Sequence, residues 1–295
     1  MNFDAIRFFI DYNIVYYTEG KNVSPGWVNC RCPFCNDKSN HLGINTSNAY
    51  VYCWKCGFHT LYDTIKVLTN EPHPKSIASK YGVLLNSYST NKTFQIKNNK
   101  IIVPGGGLNK YHKKYLEKRN FDWVYLVNKY KIKGTDHTDT NGYEYRIMFP
   151  IYYNNNIVSY QGRDYTNQQE LRYKACSKKN ENIHHKHILF NLDNCNGKKV
   201  IVCEGVFDVL RVGDNSCATF GTGFTDSQIN ILGNKFDEVY ILYDGDDEAI
   251  KKANQAITKL NLMGTKTYLI TLDGGDPAEM TEDEIISLKR DIGVY

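Results

Sequence analysis

Apolar and polar positions divide the chain into stretches of different period. From Lys199 onward, short β-branched runs alternate with stretches of helical period. Val200–Cys203, Ala218–Phe220, Val239–Tyr243 and Lys266–Ile270 predict strands, and Phe207–Val212, Asp226–Leu232 and Glu248–Leu260 predict the helices between them. Unbroken apolar strands are buried on both faces, and right-handed crossovers join them into a four-stranded parallel sheet flanked by helices. Upstream, residues 145–153 and 157–163 alternate around Asn154-Asn155-Asn156, which predicts a hairpin. Helices are predicted over 111–118 and 123–130. Near the N-terminus, Phe3, Ile6, Phe9, Ile10 and Ile14 recur at helical spacing, and Leu61–Leu68 predicts a second short helix. Residues 41–44 and 50–52 alternate as a small β-ribbon would. Thr69 to Lys100 turns polar, with Pro72, Pro74 and many Ser, Asn and Lys, and predicts a linker. The expected fold class is α+β and α/β multidomain. Its parts are a ribbon domain at 1–68, a linker at 69–100, a basic subdomain at 101–198 and a parallel-sheet subdomain at 199–295.

The parallel sheet directs attention to its strand ends, where open sheets carry their sites. Glu204 and Asp208 follow the first strand, Asp244 and Asp246 the third, and Asp276 the fourth. Carboxylates crowded together cannot all stay ionised without a counter-charge. Mg²⁺ takes oxygen ligands and keeps part of its water shell, so metal-dependent phosphate chemistry is expected here.

Charge sharpens this picture. The net charge of +4 hides an asymmetry: residues 1–199 carry 28 Lys and Arg against 15 Asp and Glu, whereas residues 200–295 carry 8 against 17. A basic body beside an acidic site suits a polyanionic substrate, although unequal surface charge without function gives the same count. No apolar run approaches the ~20 residues of a membrane helix. Met1-Asn2-Phe3-Asp4 does not open a secretory signal, so a cytoplasmic location is expected.

The chain has nine cysteines, an odd number, and four stand in two C-x-x-C pairs: Cys32/Cys35 and Cys53/Cys56. Each pair presents two thiolates from one turn, and the spacing between the pairs fits a tetrahedral Zn²⁺ ribbon. Cys30, His41 and His59 flank the site and are expected to be bystanders. Trp27, Phe34, Tyr50, Tyr52, Trp54 and Phe58 lie near Lys21, Arg31, Lys38 and Lys55. About two of these aromatics are expected to be exposed for stacking on bases, and the others to pack the ribbon. Arg146, Arg163, Arg172 and Lys174 lie on or just after the hairpin, where they could hold nucleotide or template phosphates or merely blunt a sheet edge. Gly105-Gly106-Gly107 reads as a turn or a phosphate cradle. His184-His185-Lys186-His187 reads as a basic surface turn, since no carboxylate stands at a defined spacing.

Val202-Cys203-Glu204-Gly205 with Asp208, followed by Asp244-Gly245-Asp246, resembles the toprim signature. With the ribbon, Arg146–Ile151, Gly162-Arg163 and Tyr115-Leu116-Glu117-Lys118-Arg119, the chain resembles DnaG-type primases and the primase part of phage primase–helicases. The resemblance implies a zinc ribbon, a mixed α/β primase core and a toprim domain. It implies template-directed synthesis of short RNA primers on single-stranded DNA from ribonucleoside triphosphates. Glu204, Asp208, Asp244, Asp246 and Asp276 would be the metal-site acids for two Mg²⁺ or Mn²⁺ ions. Arg119, Arg163 and Arg172 would lie near template and nucleotide. The family's last motif often reads D-P-D, and Asp276-Pro277-Ala278-Glu279 lacks the second acid, leaving Glu279 or Asp273 to compensate. No helicase motif follows, so a stand-alone phage-type primase with a separate replicative helicase and no membrane partner is expected. A toprim nuclease, which would cut strands, and a non-catalytic zinc-ribbon DNA-binding protein are the alternatives.

Overall fold

A computed structural model describes every residue except 1–2, 36, 84–96, 98, 140–141, 244–245, 273–274 and 295. Two compact units emerge: Met1–Asn91 with Ile229–Val239 and Lys251–Leu269, and Lys92–Gln228 with Tyr240–Ile250 and Ile270–Tyr295.

In the first unit, α1 (Ala5–Asp11) begins at Asp4, whose side chain accepts the Arg7 N–H at 3.0 Å. Its buried residues are Ala5, Phe8 and Phe9, an i, i+3, i+4 set, whereas Ile6 and Ile10 are 39% and 56% exposed. The expected helix is present, but its inward face is turned toward Phe8. Strands β1 (Tyr16–Tyr17), β2 (Trp27–Cys32), β3 (Asp37–Asn45), β4 (Val51–Cys53) and β5 (Gly57–His59) pair antiparallel in chain order. Thr60 caps α2 (Leu61–Thr69), accepting the Asp63 N–H at 3.0 Å, and Asn70 ends it in the left-handed region at φ 56°.

The expected linker contains a helix, α3 (Pro74–Lys80). Ile77, Ala78, Tyr81 and Val83 are buried in the same core as Phe3, Phe8, Leu42 and Ile44. Tyr81 is fixed most closely. Its carbonyl accepts the Asp4 N–H at 2.8 Å, and its hydroxyl donates to Asp11 at 2.9 Å. The Phe3, Phe8 and Tyr12 rings meet it edge-on at 5.4–6.4 Å. Burying one aromatic ring of this size contributes about 2–3 kcal/mol, which outweighs the polar composition around it. The rest of the expected linker, 84–96 and 98, lies outside the described residues.

The second unit opens with α4 (Lys110–Lys118) and α5 (Trp123–Tyr130). Strands β6 (Lys133–Gly134), β7 (Arg146–Tyr153), β8 (Asn156–Asp164) and β9 (Tyr173–Ala175) form an antiparallel sheet in that order. Asn154 and Asn155 make the β7–β8 turn with φ of 51° and 59°, the positive-φ pair that a twisted two-residue hairpin needs. A Cβ on Gly105 would stand 2.3 Å from the Gly134 carbonyl oxygen. The glycine run is therefore a turn that lets two backbones meet, as the Gly106–Gly134 bridge shows.

Then follow β10 (Lys199–Cys203), α6 (Val206–Val212), β11 (Ser216–Ala218), α7 (Asp226–Lys235), β12 (Glu238–Tyr243), α8 (Asp247–Leu262), β13 (Lys266–Thr271) and α9 (Glu282–Ile292). The four strands form one sheet in the order β11-β10-β12-β13, and β10 and β11 run parallel. The division between the units falls within α7, β12, α8 and β13. β11 ends two residues earlier than expected because Phe220 adopts φ 61°, outside any strand. α9 extends the expected pattern. Thr281 and Glu284 form its capping box, a signal present in the sequence. Among the described residues no helix is long and apolar enough to cross a membrane.

Candidate metal and nucleic-acid sites

The ribbon turns bring four sulfurs together. Cys32 Sγ lies 3.5 Å from Cys56 Sγ, and Cys35 Sγ 3.9 Å from Cys53 Sγ, with all four within 4.8 Å of one another. Four thiolates at ~2.3 Å from one Zn²⁺ stand about 3.8 Å apart, so these residues fit a structural zinc ion. The Lys55 N–H points to Cys53 Sγ at 3.4 Å, the kind of contact that steadies a thiolate ligand. Cys30 is buried outside this group, with its thiol directed to the Arg31 carbonyl at 3.4 Å. His41 pairs with Asp37 at 3.0 Å. His59 Nε2 lies 3.2 Å from Cys56 Sγ, and its ring stacks on Phe34 at 3.7 Å.

The ribbon aromatics gather around Trp54. Its ring meets Trp27 at 5.0 Å and Tyr52 at 5.7 Å. Gly43 on β3 makes this possible, because a Cβ there would stand 2.7 Å from Trp54 and 2.8 Å from Trp27. Trp54 remains 45% exposed, while Trp27, Tyr50, Tyr52 and Phe58 are half-buried against their neighbours.

In the second unit, a cleft of about 590 Å³ is lined by one face of α4 (Tyr111, Lys114, Tyr115, Lys118), by Arg119 and Arg163, by Tyr165, Thr166 and Asn167, and by Arg172. Among the described residues its lining holds five cations and no carboxylate. Arg119 sits over the Phe207 ring at 4.9 Å and over Tyr115 at 6.0 Å. Arg163 sits over Tyr173 at 4.8 Å and Phe207 at 5.9 Å. The Nε atoms of both arginines are buried and find no acceptor among the described residues. The structure thus brings Arg119, Arg163 and Arg172 to one cleft. Arg146 and Lys174 are not part of its lining. Arg146 is 2% exposed and donates to the carbonyls of Gly162 (3.2 Å) and Leu171 (2.8 Å), with burial drawing its pKa below the ordinary value. It braces β8 and the approach to β9 instead of facing a ligand. Lys174 donates to the Gly142 carbonyl and lies 5.0 Å over Tyr143. Sequence reasoning missed Lys114 and Lys118. Their i, i+4 spacing and Tyr111-Lys114-Tyr115-Lys118 periodicity already marked one helical face.

The acids sit where strands meet helices. Glu204 follows β10, and its carbonyl accepts the Gly221 N–H at 2.9 Å. Asp208, 7% exposed, receives the Gly205 N–H at 2.7 Å and so caps α6. Asp246 receives the Ala249 N–H at 2.8 Å ahead of α8, and Asp276 receives the Ala278 N–H at 2.8 Å ahead of a short 3₁₀ turn. Each aspartate therefore uses one oxygen on backbone N–H groups at a helix N-terminus. Asp244 and Asp273 lie outside the described residues. Among those described, no three acids of this set converge within 4.8 Å as the thiolates do. A Mg²⁺ ion needs only one or two carboxylates beside its waters, and the donor set of oxygens suits it. Ala278, where the second acid of D-P-D would stand, is buried, and its carbonyl accepts Arg211 Nε at 3.0 Å. Glu279 is exposed. Burial, reinforced by the Glu204 charge and opposed by the Thr219 hydroxyl, pushes the Tyr243 phenol well above its ordinary range. Tyr173 is pushed up by burial and by Asp208, against the pull of Arg163. Asp208 and Arg163 therefore act on the same ring.

Residues 201–281 match the family described as Toprim-like. Over 88 residues the chain is 40% identical to the DNA primase of Aquifex aeolicus (strain VF5), covering 28% of this chain and 18% of that one. It is 25% identical over 292 residues to the DNA primase of Buchnera aphidicola subsp. Baizongia pistaciae (strain Bp), covering 79% and 49%. The chain thus spans about half or less of the length of these curated relatives. Its fold matches the crystal structure of the Aquifex aeolicus primase zinc-binding and RNA polymerase domains with a TM-score of 0.56 at 20% identity, over 98% of this chain and 82% of that one. It matches a DnaG primase catalytic domain, solved bound to ssDNA, with a TM-score of 0.54 at 21% identity, over 62% and 71%. Similarity to curated DNA primases thus reaches across most of the chain, the fold resembles that of DnaG-type primase domains from ribbon to parallel sheet, and residues 201–281 match the Toprim-like family.

Proposed function

We propose that this chain is a DNA primase core that makes short RNA primers on single-stranded DNA. The observation that carries the reading is the meeting of Arg119 and Arg163 over Phe207, one residue before Asp208. It couples a cationic cleft to the acid-bearing sheet edge. The relatives named DNA primase and the ssDNA-bound neighbour support the choice of substrate.

In this reading the template strand lies in the cleft, with phosphates on Arg119, Lys114 and Lys118 and nucleotide phosphates near Arg163 and Arg172. The ribbon, with Trp54 exposed, reads template bases by stacking. Glu204, Asp208, Asp244, Asp246 and Asp276 would hold Mg²⁺ or Mn²⁺, which lowers the pKa of the attacking hydroxyl and steadies the pyrophosphate when bound. Asp208 and Asp276 are held in position by the N–H groups they cap. Arg146 and Lys174, expected from sequence to touch nucleic acid, act on this reading through the scaffold. A separate helicase would open the duplex, in the cytoplasm.

The test is to incubate single-stranded templates with all four labelled ribonucleotides and Mg²⁺, then resolve the products. Short template-complementary RNA supports the reading, and Glu204→Gln then lowers synthesis by about 10²-fold or more. Shortened template without RNA makes the site a nuclease. Binding with neither product leaves a zinc-ribbon DNA-binding protein.

A further inference from the structure

We infer that Glu181, His184 and His185 form a second metal site, separate from the thiolate cluster, for a divalent transition ion of the Zn²⁺ class. The three side chains stand on the loop after β9, in E-x-x-H-H order. His184 Nδ1 meets one carboxylate oxygen of Glu181, and His185 Nδ1 lies 3.4 Å from the other. The three donor atoms all lie within 4.8 Å of one another. Ligands ~2.0–2.2 Å from one ion are reached from a single point at such spacings. Two imidazoles thus turn the same ring nitrogen toward the two oxygens of one carboxylate, the set of donors that a single cation would draw on.

Further contacts act as supports for ligands. The Ser159 hydroxyl donates to Glu181 Oε2 at 2.9 Å, and the His185 backbone N–H donates to the same oxygen at 3.3 Å. Groups of this kind fix the orientation of a metal-bound carboxylate. The Glu181 side chain is 2% exposed, so its charge needs a cationic partner, while the His184 side chain is 26% exposed and leaves a path from solvent. Two imidazoles and one carboxylate select zinc, cobalt, nickel or iron over magnesium, which prefers oxygen alone. The His185 ring also packs 5.5 Å from Phe220, in the turn that follows β11. An ion here would tie that turn to the loop bearing the three ligands.

The test uses the whole chain with its ribbon already loaded with zinc, exposed to excess Co²⁺ and desalted. Elemental analysis is expected to give one Zn²⁺ and one Co²⁺ per chain. The cobalt should show d–d absorption without the intense thiolate charge-transfer band of a cysteine site. Glu181→Gln and His184→Ala should each remove the cobalt and leave the zinc. The His184 variant changes a partly exposed side chain, and circular dichroism confirms that it folds. No retained cobalt, cobalt with a thiolate band only, or cobalt that persists in both variants as an adventitious ion overturns the inference. Metal content is read without any polymerase assay, so primer synthesis can fail while this site stands.

Discussion

The Arg119 guanidinium lies 4.9 Å from the centre of the Phe207 ring, directly ahead of Asp208 in the first turn of α6. A cation over an aromatic face is attracted by the ring's electron density and loses little freedom when it binds a phosphate. Removing it should weaken a general electrostatic grip more than any sequence preference. Arg119→Ala is expected to lower single-stranded DNA affinity several-fold at low salt. The slope of log affinity against log salt should shrink by about 0.7, the share of one phosphate contact. A fluorescence-anisotropy titration at four salt concentrations reads both, and an unchanged slope would place Arg119 outside the interface.

Trp54 and Gly43 should separate binding from stability on one sheet. Trp54→Ala removes a half-exposed ring and is expected to cost ~1–3 kcal/mol of single-strand affinity if one base stacks there, with little change in melting temperature. Gly43→Ala forces a methyl group against both tryptophans and should destabilise the unit by about 1–3 kcal/mol. Calorimetry beside a binding titration distinguishes the two. Equal loss of stability in both variants would make Trp54 a packing residue.

The four sulfurs should behave as one folding element. Cys53→Ser takes away a buried ligand, and the remaining three thiolates hold zinc less firmly. The expected outcome is loss of one zinc per chain by elemental analysis and faster amide exchange through β2–β5, because metal binding in such ribbons contributes folding free energy. Retention of a full zinc equivalent with native exchange would contradict this.

His112 gives a pH dependence. It is 1% exposed, accepts the Asn109 N–H on Nδ1 at 3.1 Å, and presents Nε2 to the Thr135 carbonyl at 2.9 Å. Burial lowers its pKa below the ordinary 6.5, despite hydrogen bonds that work the other way. The unfolded chain therefore gains a proton first as pH falls. Stability from this group is complete above pH 6.5 and declines below it, until the folded imidazole also protonates. Melting temperature should drop between pH 7 and pH 5, and His112→Gln should flatten that drop. A parallel decline in the variant would assign the effect to other groups. Gly134 leaves room for this ring, since a Cβ there would stand 2.5 Å from it.

Legibility in the sequence followed burial. The strands of the parallel sheet were readable because β10 and β12 are buried almost throughout, and an unbroken β-branched run has few other homes. The ribbon was readable from cysteine spacing. The burial of Arg146 was not legible, for the same reason that β10 was easy. Its strand β7 is buried at six successive positions, so alternation could not tell inward from outward. Gly162 on the paired strand supplies the missing clue: a Cβ there would stand 2.9 Å from Arg146 Cδ, so the arginine fills space that a side chain would take. α3 was lost in a polar stretch because its burial depends on Phe3 and Phe8, some seventy residues earlier. Glu181 escaped notice beside the histidines because the curl of a loop is not written in residue spacing.

The docking of Tyr81 against α1 has a practical meaning for anyone dissecting this protein. The cysteines suggest cutting soon after Leu68, yet a fragment ending there would strip a lid from Phe3, Phe8 and Tyr12 and leave Asp11 without its phenolic donor. The buried residues of this interior reach at least to Val83, and Leu262 belongs to them as well. Val83 is already fifteen residues past the point that inspection of the metal ligands would choose.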